Sequence, residues 1–397
     1  MLRAAQGTTL EIIACDWVEG GWLTMTKSHN GLSDIVQATA DFEKWASRHV
    51  NLIRSDVKLK HRNMALSAFP FFRATFYRWA QLWPLICPEL AQATEVLAVG
   101  DLHVENFGTW RDFEGRLIWG VNDFDEAWPA AYAVDLVRLT TSVYLAVDAQ
   151  HLSLSRKEAW KAIEEGYRDS IAKGGGPYVL AEHHRWLRRL ATSELRDPVV
   201  FWKKILACPK YKGDLPKDVW KMIYGSLPLR TKKYELKSRI AGLGSLGHPR
   251  ILALATWDGA HIVREAKQLT PSAWIWAQHL NRSEVLSRKL VQSAVRILDP
   301  HVHFAEHWVV RRLAPDCCHI ELGTLPEERD EERILYYMGW ETGNIHLGSP
   351  QAIGAVKKDL AQRKGRWLHK AAKAMQKATL DDWKVWSRKW AHSGGVQ

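Results

Sequence analysis

The chain has 397 residues, 46% of them apolar and 25% charged, with a formal charge of +11 and a sequence pI near 9.3. That composition is ordinary for a globular protein, and the length exceeds one usual hydrophobic core, so two lobes are expected. No apolar run approaches the roughly 20 residues that cross a bilayer, which excludes a transmembrane helix at this stage.

Residues 1–35 hold a short Thr/Ile-containing stretch without a strong period and receive no assignment. Glu11, Asp16 and Glu19 make this a poor secretion signal. The cysteines Cys15, Cys87, Cys208, Cys317 and Cys318 are odd in number and form no C-x-x-C pair. A reducing cytoplasm is therefore expected, with Cys317 and Cys318 as strand or loop residues rather than a vicinal disulfide.

From residue 36 to 90 apolar side chains recur at helical spacing. Phe42, Trp45 and Ala46 come first, then Phe71, Phe72, Phe76, Trp79, Ala80 and Trp83, until Pro84 and Pro88 break the run. Residues 96–99 and 117–121 read as short buried strands that end at Gly100 and Asn122. Helix returns over 133–173, with Leu136, Leu139 and Val143 on one face, and Gly174-Gly175-Gly176-Pro177 stops it. More helix runs to about Met222, interrupted at Pro209 and Pro216.

Residues 240–267 differ in kind. They alternate, and a turn at Trp257-Asp258-Gly259 separates two apolar stretches, which is a hairpin signature. Helix is expected again over 271–297, strand at Trp308-Val309-Val310 and at Ile320-Glu321-Leu322, and helix thereafter. The domains so read are an unassigned segment 1–35, a helical lobe 36–230, a β-rich lobe 231–325 and basic helices 326–397 on the helical lobe. The fold class is α+β.

Asp101 and Asn106 stand five residues apart directly after one strand, and Asp123 directly after another. If the two strand ends lie side by side in one small sheet, the three side chains converge. Phosphoryl transfer needs such a set: one carboxylate for the attacking hydroxyl, an amide and a second carboxylate for Mg²⁺ against nucleotide phosphates. Asp125 shares the side of Asp123 if that segment is extended.

Gly-Asp-Leu-His-x-x-Asn over 100–106, followed by Asp123-Phe124-Asp125, resembles the catalytic loop and metal-binding segment of aminoglycoside-phosphotransferase-like and choline-kinase-like enzymes. Asp135-Leu136-Val137-Arg138-Leu139 is similar to the segment that follows in that group. More narrowly, Gly-Asp-Leu-His-x-Glu-Asn-Phe-Gly, Asn-Asp-Phe-Asp-Glu, Asp-Leu-x-Arg-Leu and the upstream Ser67-Ala68-Phe69-Pro70-Phe71-Phe72-Arg73 resemble the bacterial family of domain of unknown function 2252, from about residue 60 to 350. The resemblance implies Asp101 as catalytic base or hydroxyl-orienting acid, Asn106 and Asp123 as metal ligands, and Asp125 as a second carboxylate ligand. His103 belongs to the same motif, as a catalytic-loop member or as a residue that hydrogen-bonds the loop backbone. Glu105 and Glu126 read as solvent-exposed charges. Asp135 reads as a cap that braces the loop.

Gly242-Leu243-Gly244-Ser245-Leu246-Gly247 is a G-x-G-x-x-G that leads into strand, turn and strand rather than into a helix. That context matches a kinase glycine loop, followed by a lysine on the third strand, and not a dinucleotide-binding turn. Gly242, Gly244, Ser245 and Gly247 are thus expected on ATP phosphates, with Lys267 as the phosphate-contacting lysine and Glu265 on its face. Arg264 is its rival if the register slips by one. Glu284, on the following predicted helix, is the candidate partner of the lysine. Because the glycine loop follows the acids instead of preceding them, the expected fold is a protein-kinase-like pair of lobes in circularly permuted order.

The leading expectation is an ATP- and Mg²⁺-dependent phosphotransferase acting on an unidentified hydroxyl acceptor. Close variants are a nucleotidyl transferase of the same build or a pseudokinase. A metallophosphoesterase is less favoured, since Gly343-Asn344-Ile345-His346 is not the contiguous Gly-Asn-His that chemistry uses and no Gly-Asp-x-x-Asp follows. A non-enzymatic nucleic-acid or membrane-surface protein would use Lys357, Lys358, Arg363, Lys364, Arg366, Lys370, Lys373 and Lys377. No recognised nucleic-acid module accompanies them, and a solvated basic helix explains them. The 21 tryptophans fall largely at helix spacing, as core packing requires.

Overall fold

The structure, a computed structural model, describes residues 31–180, 184, 187–188, 197–228, 231, 233–317, 330–363 and 365–392. The expected strand at 320–322, Cys15, Cys318, Lys364 and residues 1–30 lie outside them. The chain folds as a mixed α+β protein with separate small sheets, as its composition of elements implied.

The helical stretch before the acids divides into α1 (Ile35–Ala46), α2 (Arg54–Leu66), α3 (Ala68–Ala74), α4 (Phe76–Ile86) and α5 (Pro88–Ala91). Asp34 caps α1 by accepting from the Gln37 amide at 2.9 Å, and Ile35, Ala38, Thr39, Phe42 and Ala46 form its buried stripe. Pro84 lies inside α4 instead of ending it, whereas Pro88 takes the first turn of α5, where no amide is needed. Trp79, Trp83 and Trp386 are buried, as their spacing predicts.

The two predicted strands are present as β1 (Glu95–Ala98) and β3 (Leu117–Val121), but they do not share a sheet. β1 pairs with β4 (Trp128–Ala131), while β3 lies between β2 (Phe107–Arg111) and β5 (Tyr178–Val179). A turn places β2 and β3 in register: the Asp112 carboxylate accepts from the amides of Glu114 at 3.0 Å and Arg116 at 2.8 Å. α6 (Ala133–Asp148) is buried on all sides over its first fourteen residues. α7 (Arg156–Lys173) begins with a Ser155/Glu158 capping box and stops at Gly174, which takes the left-handed conformation.

The β-rich part is a five-stranded antiparallel sheet. Its order is β6 (Tyr234–Ser238), β7 (Arg250–Trp257), β8 (Ala260–Gln268), β10 (Trp308–Leu313), β9 (His303–Ala305). Asp258 at φ 46° and Gly259 at φ 83° make the tight β7–β8 hairpin turn. The register sets Arg250 opposite Lys267 and Leu252 opposite Glu265, with Arg311 opposite Glu265 across β10. Period-2 alternation then gives each face its chemistry. One face carries Ile251, Ala253, Ala266, Trp308 and Val310 and buries Val219 and Ile223 of α9 (Lys217–Ser226) with Leu227 just beyond it. At ~1.5–3 kcal/mol for each fully buried aliphatic side chain, this packing fixes the face. The other carries Arg250, Lys267, Glu265 and Arg311, then Leu252, Leu254, Val263 and Leu313. These last four pack on Ile205, Phe201 and Trp202 of α8 (Pro198–Leu206). Thus α8 and α9 pack on the sheet although they precede residue 230.

The expected helix over 271–297 is two short helices, α10 (Ala273–Ala277) and α11 (Ser287–Ser293). The C-terminal helices α12 (Glu331–His346), α13 (Pro350–Gln362) and α14 (Trp367–His392) join the core of the helical part. Lys357, Lys358, Arg366, Lys370, Lys373 and Lys377 are exposed, and Lys377 pairs with Asp381 at 2.7 Å. Among the described residues no helix is long and apolar enough to cross a membrane, and Cys87, Cys208 and Cys317 are free thiols.

Candidate functional site

The chain turns out of β1 at Gly100, whose φ is +84°; a Cβ there would lie 2.4 Å from the Glu126 carbonyl oxygen. Only glycine satisfies both demands. The turn is held by the fully buried Asp135 carboxylate, which accepts from the Val99 amide at 2.7 Å and the Gly100 amide at 2.9 Å. His346 Nε2 lies 3.0 Å from the same carboxylate, and its Nδ1 lies 2.9 Å from the Tyr167 hydroxyl. Asp135 therefore braces the loop, and His346 is a buried part of that brace.

One helical turn after Asp135, Arg138 reaches the Asp101 carboxylate. Its Nε donates at 2.7 Å, and its Nη2 forms a second, shorter contact with the same oxygen. Arg138 is itself fully buried, with its guanidinium 4.0 Å from the Phe72 ring centroid and its Nη2 donating to the Phe72 carbonyl at 3.0 Å. Burial raises the Asp101 carboxyl to about 6, against the pull of Arg138 and with a further push from Asp123. The Asn106 amide closes the loop by donating to the Asp101 carbonyl at 2.9 Å. His103 Nδ1 accepts from the Glu105 amide at 3.2 Å, so its ring does hydrogen-bond the loop backbone.

Neither glutamate read as a solvent-exposed charge is one. Glu105 forms an ion pair with Arg73. Glu126 accepts from the Ala273 amide at 2.6 Å and the Ser272 hydroxyl at 2.9 Å, at the start of α10. Burial, and then the nearby Asp101 and Asp125, push the Glu126 carboxyl up to about 8. A group raised in this way favours the folded state most below its unfolded value, and that contribution is lost as pH rises through 8. Glu126→Gln, which keeps an acceptor for both donors, is expected to match the wild-type melting temperature near pH 4 and to exceed it increasingly towards pH 9. A wild type that melts no lower than Glu126→Gln at pH 9 would disprove the assignment.

The glycine loop meets this loop although more than a hundred residues separate them. A Cβ on Gly244 would lie 3.1 Å from the Arg73 carbonyl oxygen and 3.7 Å from Asp101 Oδ2. Lys60, buried in α2, donates to the Gly244 carbonyl at 2.8 Å and ties the loop down. Asp101, His103, Asn106, Asp123, Asp125, Gly242, Gly244 and Ser245 line one cleft of about 610 Å³. Gly247 does not; its carbonyl accepts from the Ile53 amide at 2.8 Å and its Cα faces Val57 of α2.

Lys267, 3% exposed, joins the cleft through the acids. It forms an ion pair with Asp125 and lies 3.5 Å from Asp123 Oδ1. Burial and the adjacent Asp123 raise the Asp125 carboxyl, and Lys267 opposes them. The register did not slip: Arg264 points to the opposite face and donates to the Ser226 carbonyl at 2.9 Å. Glu284 is not the lysine's partner. It lies in the exposed connection between α10 and α11 and pairs with Arg282 at 3.3 Å.

Among the described residues no three His, Cys, Asp or Glu side chains form a metal cage. Asn106, Asp123 and Asp125 are hard oxygen donors, and Mg²⁺ characteristically takes one or two carboxylates with waters and phosphates completing its shell. That donor chemistry fits Mg²⁺, with Lys267 as its competitor for the carboxylates. Sequence reading gave no role to Lys60, Arg73, Arg138 or the arginines around Glu265; of these, Arg73 and Arg138 stood within motifs already in view.

No curated protein and no solved structure matches the chain. Residues 52–196, which carry α2 to α7 and the whole acid cluster, match the family described as an uncharacterized protein conserved in bacteria (DUF2252).

Proposed function

We propose that this protein is an ATP- and Mg²⁺-dependent phosphotransferase of kinase-like type, with its two lobes in circularly permuted order, acting on a hydroxyl-bearing acceptor. One observation carries the reading. A glycine-rich loop and an Asp/Asn/Asp set from distant parts of the chain line one cleft, and a buried lysine on the third strand of the sheet contacts two of its acids from behind. Phosphoryl transfer uses that combination, in which positioning and electrostatics supply most of the catalysis.

In this reading the acceptor hydroxyl attacks the γ-phosphorus and gives its proton to Asp101, while the β–γ bridging bond breaks and ADP leaves. Arg138 orients Asp101 and keeps it ionised above about pH 6. Backbone amides of Gly242–Ser245 and Lys267 take the phosphate oxygens. Asn106, Asp123 and Asp125 would hold Mg²⁺, which supplies charge neutralisation of the phosphates. This site departs from the usual pattern in that its lysine rests on the acids themselves and not on a helical glutamate.

ATP with Mg²⁺ is expected to raise the melting temperature of the wild type and to leave Asp123→Ala unshifted. Released ADP then identifies phosphoryl transfer, whereas AMP or pyrophosphate identifies nucleotidyl transfer by the same cleft. A wild type that ATP and Mg²⁺ fail to stabilise overturns the proposal.

A further inference from the structure

Two residues before the lysine, on the same strand face, a V-A-I-K strand carries a small alanine. Here that position is Glu265, fully buried, and three arginines from separate strands and loops converge on it. Arg239 Nη1 donates to Oε1 at 2.5 Å. Arg311 donates to Oε2 through Nε at 3.0 Å and approaches it through Nη2 at 2.9 Å. Arg250 Nη1 lies 3.3 Å from Oε2. Burial opposes a charge here, yet the guanidinium groups overcome it and hold the Glu265 carboxyl well below the usual range.

The three arginines do different things. Arg250 is buried and faces the glycine loop: its Nη2 donates to Ser245 Oγ at 2.7 Å. A Cβ on Gly242 would lie 2.5 Å from that same nitrogen, and Gly242 has φ +73°, so the loop is moulded around Arg250. Arg239 and Arg311 keep side-chain exposures of 28% and 21% and line the cleft beside Gly242 and Asp125. One carboxylate cannot neutralise three guanidinium groups. Asp123 and Asp125 also face Arg311, but Lys267 already pairs with them. Counting Arg239, Arg250, Arg311 and Lys267 against Glu265, Asp123 and Asp125 gives four positive and three negative charges, so the wall keeps a positive surplus. Guanidinium forks held in place are suited to phosphate oxygens, because little ordering entropy is lost on contact.

We infer that Glu265 is a positioning residue that arrays Arg239 and Arg311 as a two-armed clamp for a linear polyphosphate chain lying along the cleft under the glycine loop. The inference rests on the phosphotransferase reading for the identity of its ligand and goes beyond it in assigning the anchor. Phosphate recognition is then shared between Lys267 and a preset guanidinium pair anchored on Glu265.

The test uses the full chain and inorganic tripolyphosphate with EDTA present, so that metal binding plays no part. Titration calorimetry compares the wild type with Arg239→Ala, Arg311→Ala, Arg311→Lys and a control, Lys370→Ala/Lys373→Ala, on the exposed face of α14. Each alanine variant leaves two arginines on Glu265, so the carboxylate stays paired and the unligated melting curve reports intact folding. Each is expected to weaken tripolyphosphate roughly tenfold, the size of one charge-assisted contact. Arg311→Lys is expected to recover only part of this, because a point charge does not replace a fork. The control is expected to bind as the wild type does. Tripolyphosphate that binds the arginine variants unchanged, or fails to bind the wild type, overturns the clamp. The Asp123-dependent ATP/Mg²⁺ shift is read separately: its loss alongside arginine-dependent tripolyphosphate binding keeps the clamp and removes the phosphotransferase, and its survival beside unchanged arginine variants does the reverse.

Discussion

On the proposed phosphotransferase reading, Asp101→Asn is expected to bind ATP and Mg²⁺ nearly as the wild type does and to transfer phosphoryl groups about 10²–10⁴-fold more slowly, the range that a positioned base contributes. Asparagine keeps the shape of the side chain, and its amide oxygen still accepts from Arg138 Nε, which lies 2.7 Å from the carboxylate. What it loses is the ability to take a proton. In the wild type, burial has raised this carboxyl to about 6 while Arg138 restrains it. Turnover should therefore fall about tenfold for each pH unit below 6 and level off above it. Weakening the restraint should move the midpoint upwards, so Arg138→Lys is expected to shift the profile towards neutrality. An Asp101→Asn enzyme with undiminished turnover, or a pH profile flat from 7 to 4.5, would remove Asp101 from the reaction. Binding and folding are followed in parallel by the ATP/Mg²⁺ melting shift, because Arg138 is buried and depends on this partner.

Much of this site was legible in sequence because its parts are local. Asp101 and Asn106 share one loop, Asp123 and Asp125 share another, and the Asp258-Gly259 turn fixes which face of the hairpin Lys267 takes. The helices were legible for the same reason: the stripe of α1 and the capping box of α7 are each contained within a few turns. Strand pairing was harder. β2 was missed because Gly108 and Thr109 interrupt the apolar run in sequence although both are buried, while the Asp112 turn behind it was a usable signal. β4 contains Pro129, which argues against a strand, yet its exposed position on a two-stranded sheet tolerates the lost donor. The acids consequently converge through loops from two different sheets, not through neighbouring strands of one.

The ionic framework was out of reach for a different reason. Arg138 lies 37 residues from Asp101, and Glu265 gathers Arg239, Arg250 and Arg311 from 26, 15 and 46 residues away. No local period links such residues. The glycine loop shows the same limit: its first two glycines reach the cleft, while Gly247 serves the contact with α2, a division that the G-x-G-x-x-G spacing does not reveal. The loop that follows the acids in sequence lies against Asp101 in space, at Gly244.

Asp135→Ala should be the most destabilising single change in this region, by roughly 3–5 kcal/mol, the cost of breaking a buried ionic and hydrogen-bonded set by removing one partner. The carboxylate serves the Val99 and Gly100 amides and His346 at once, at 2.7, 2.9 and 3.0 Å, and both it and His346 are fully buried. Truncation leaves two amides without an acceptor at a turn where Gly100 already holds a left-handed conformation. At about 2–4 °C per kcal/mol for a domain of this general size, the melting temperature should drop by about 10 °C. His346→Ala alone should cost less, since Asp135 keeps its two amides. The double variant should cost clearly less than the sum of the singles, because the two side chains share one interaction. Full additivity, or a shift of under about 2 °C in Asp135→Ala, would show that the Gly100 turn stands without this brace. If the brace acts as described, Asp135→Ala also loses the ATP/Mg²⁺ shift at temperatures where it is still folded, because Gly100 loses its anchor and Asp101 no longer meets Arg138 and Gly244 in register.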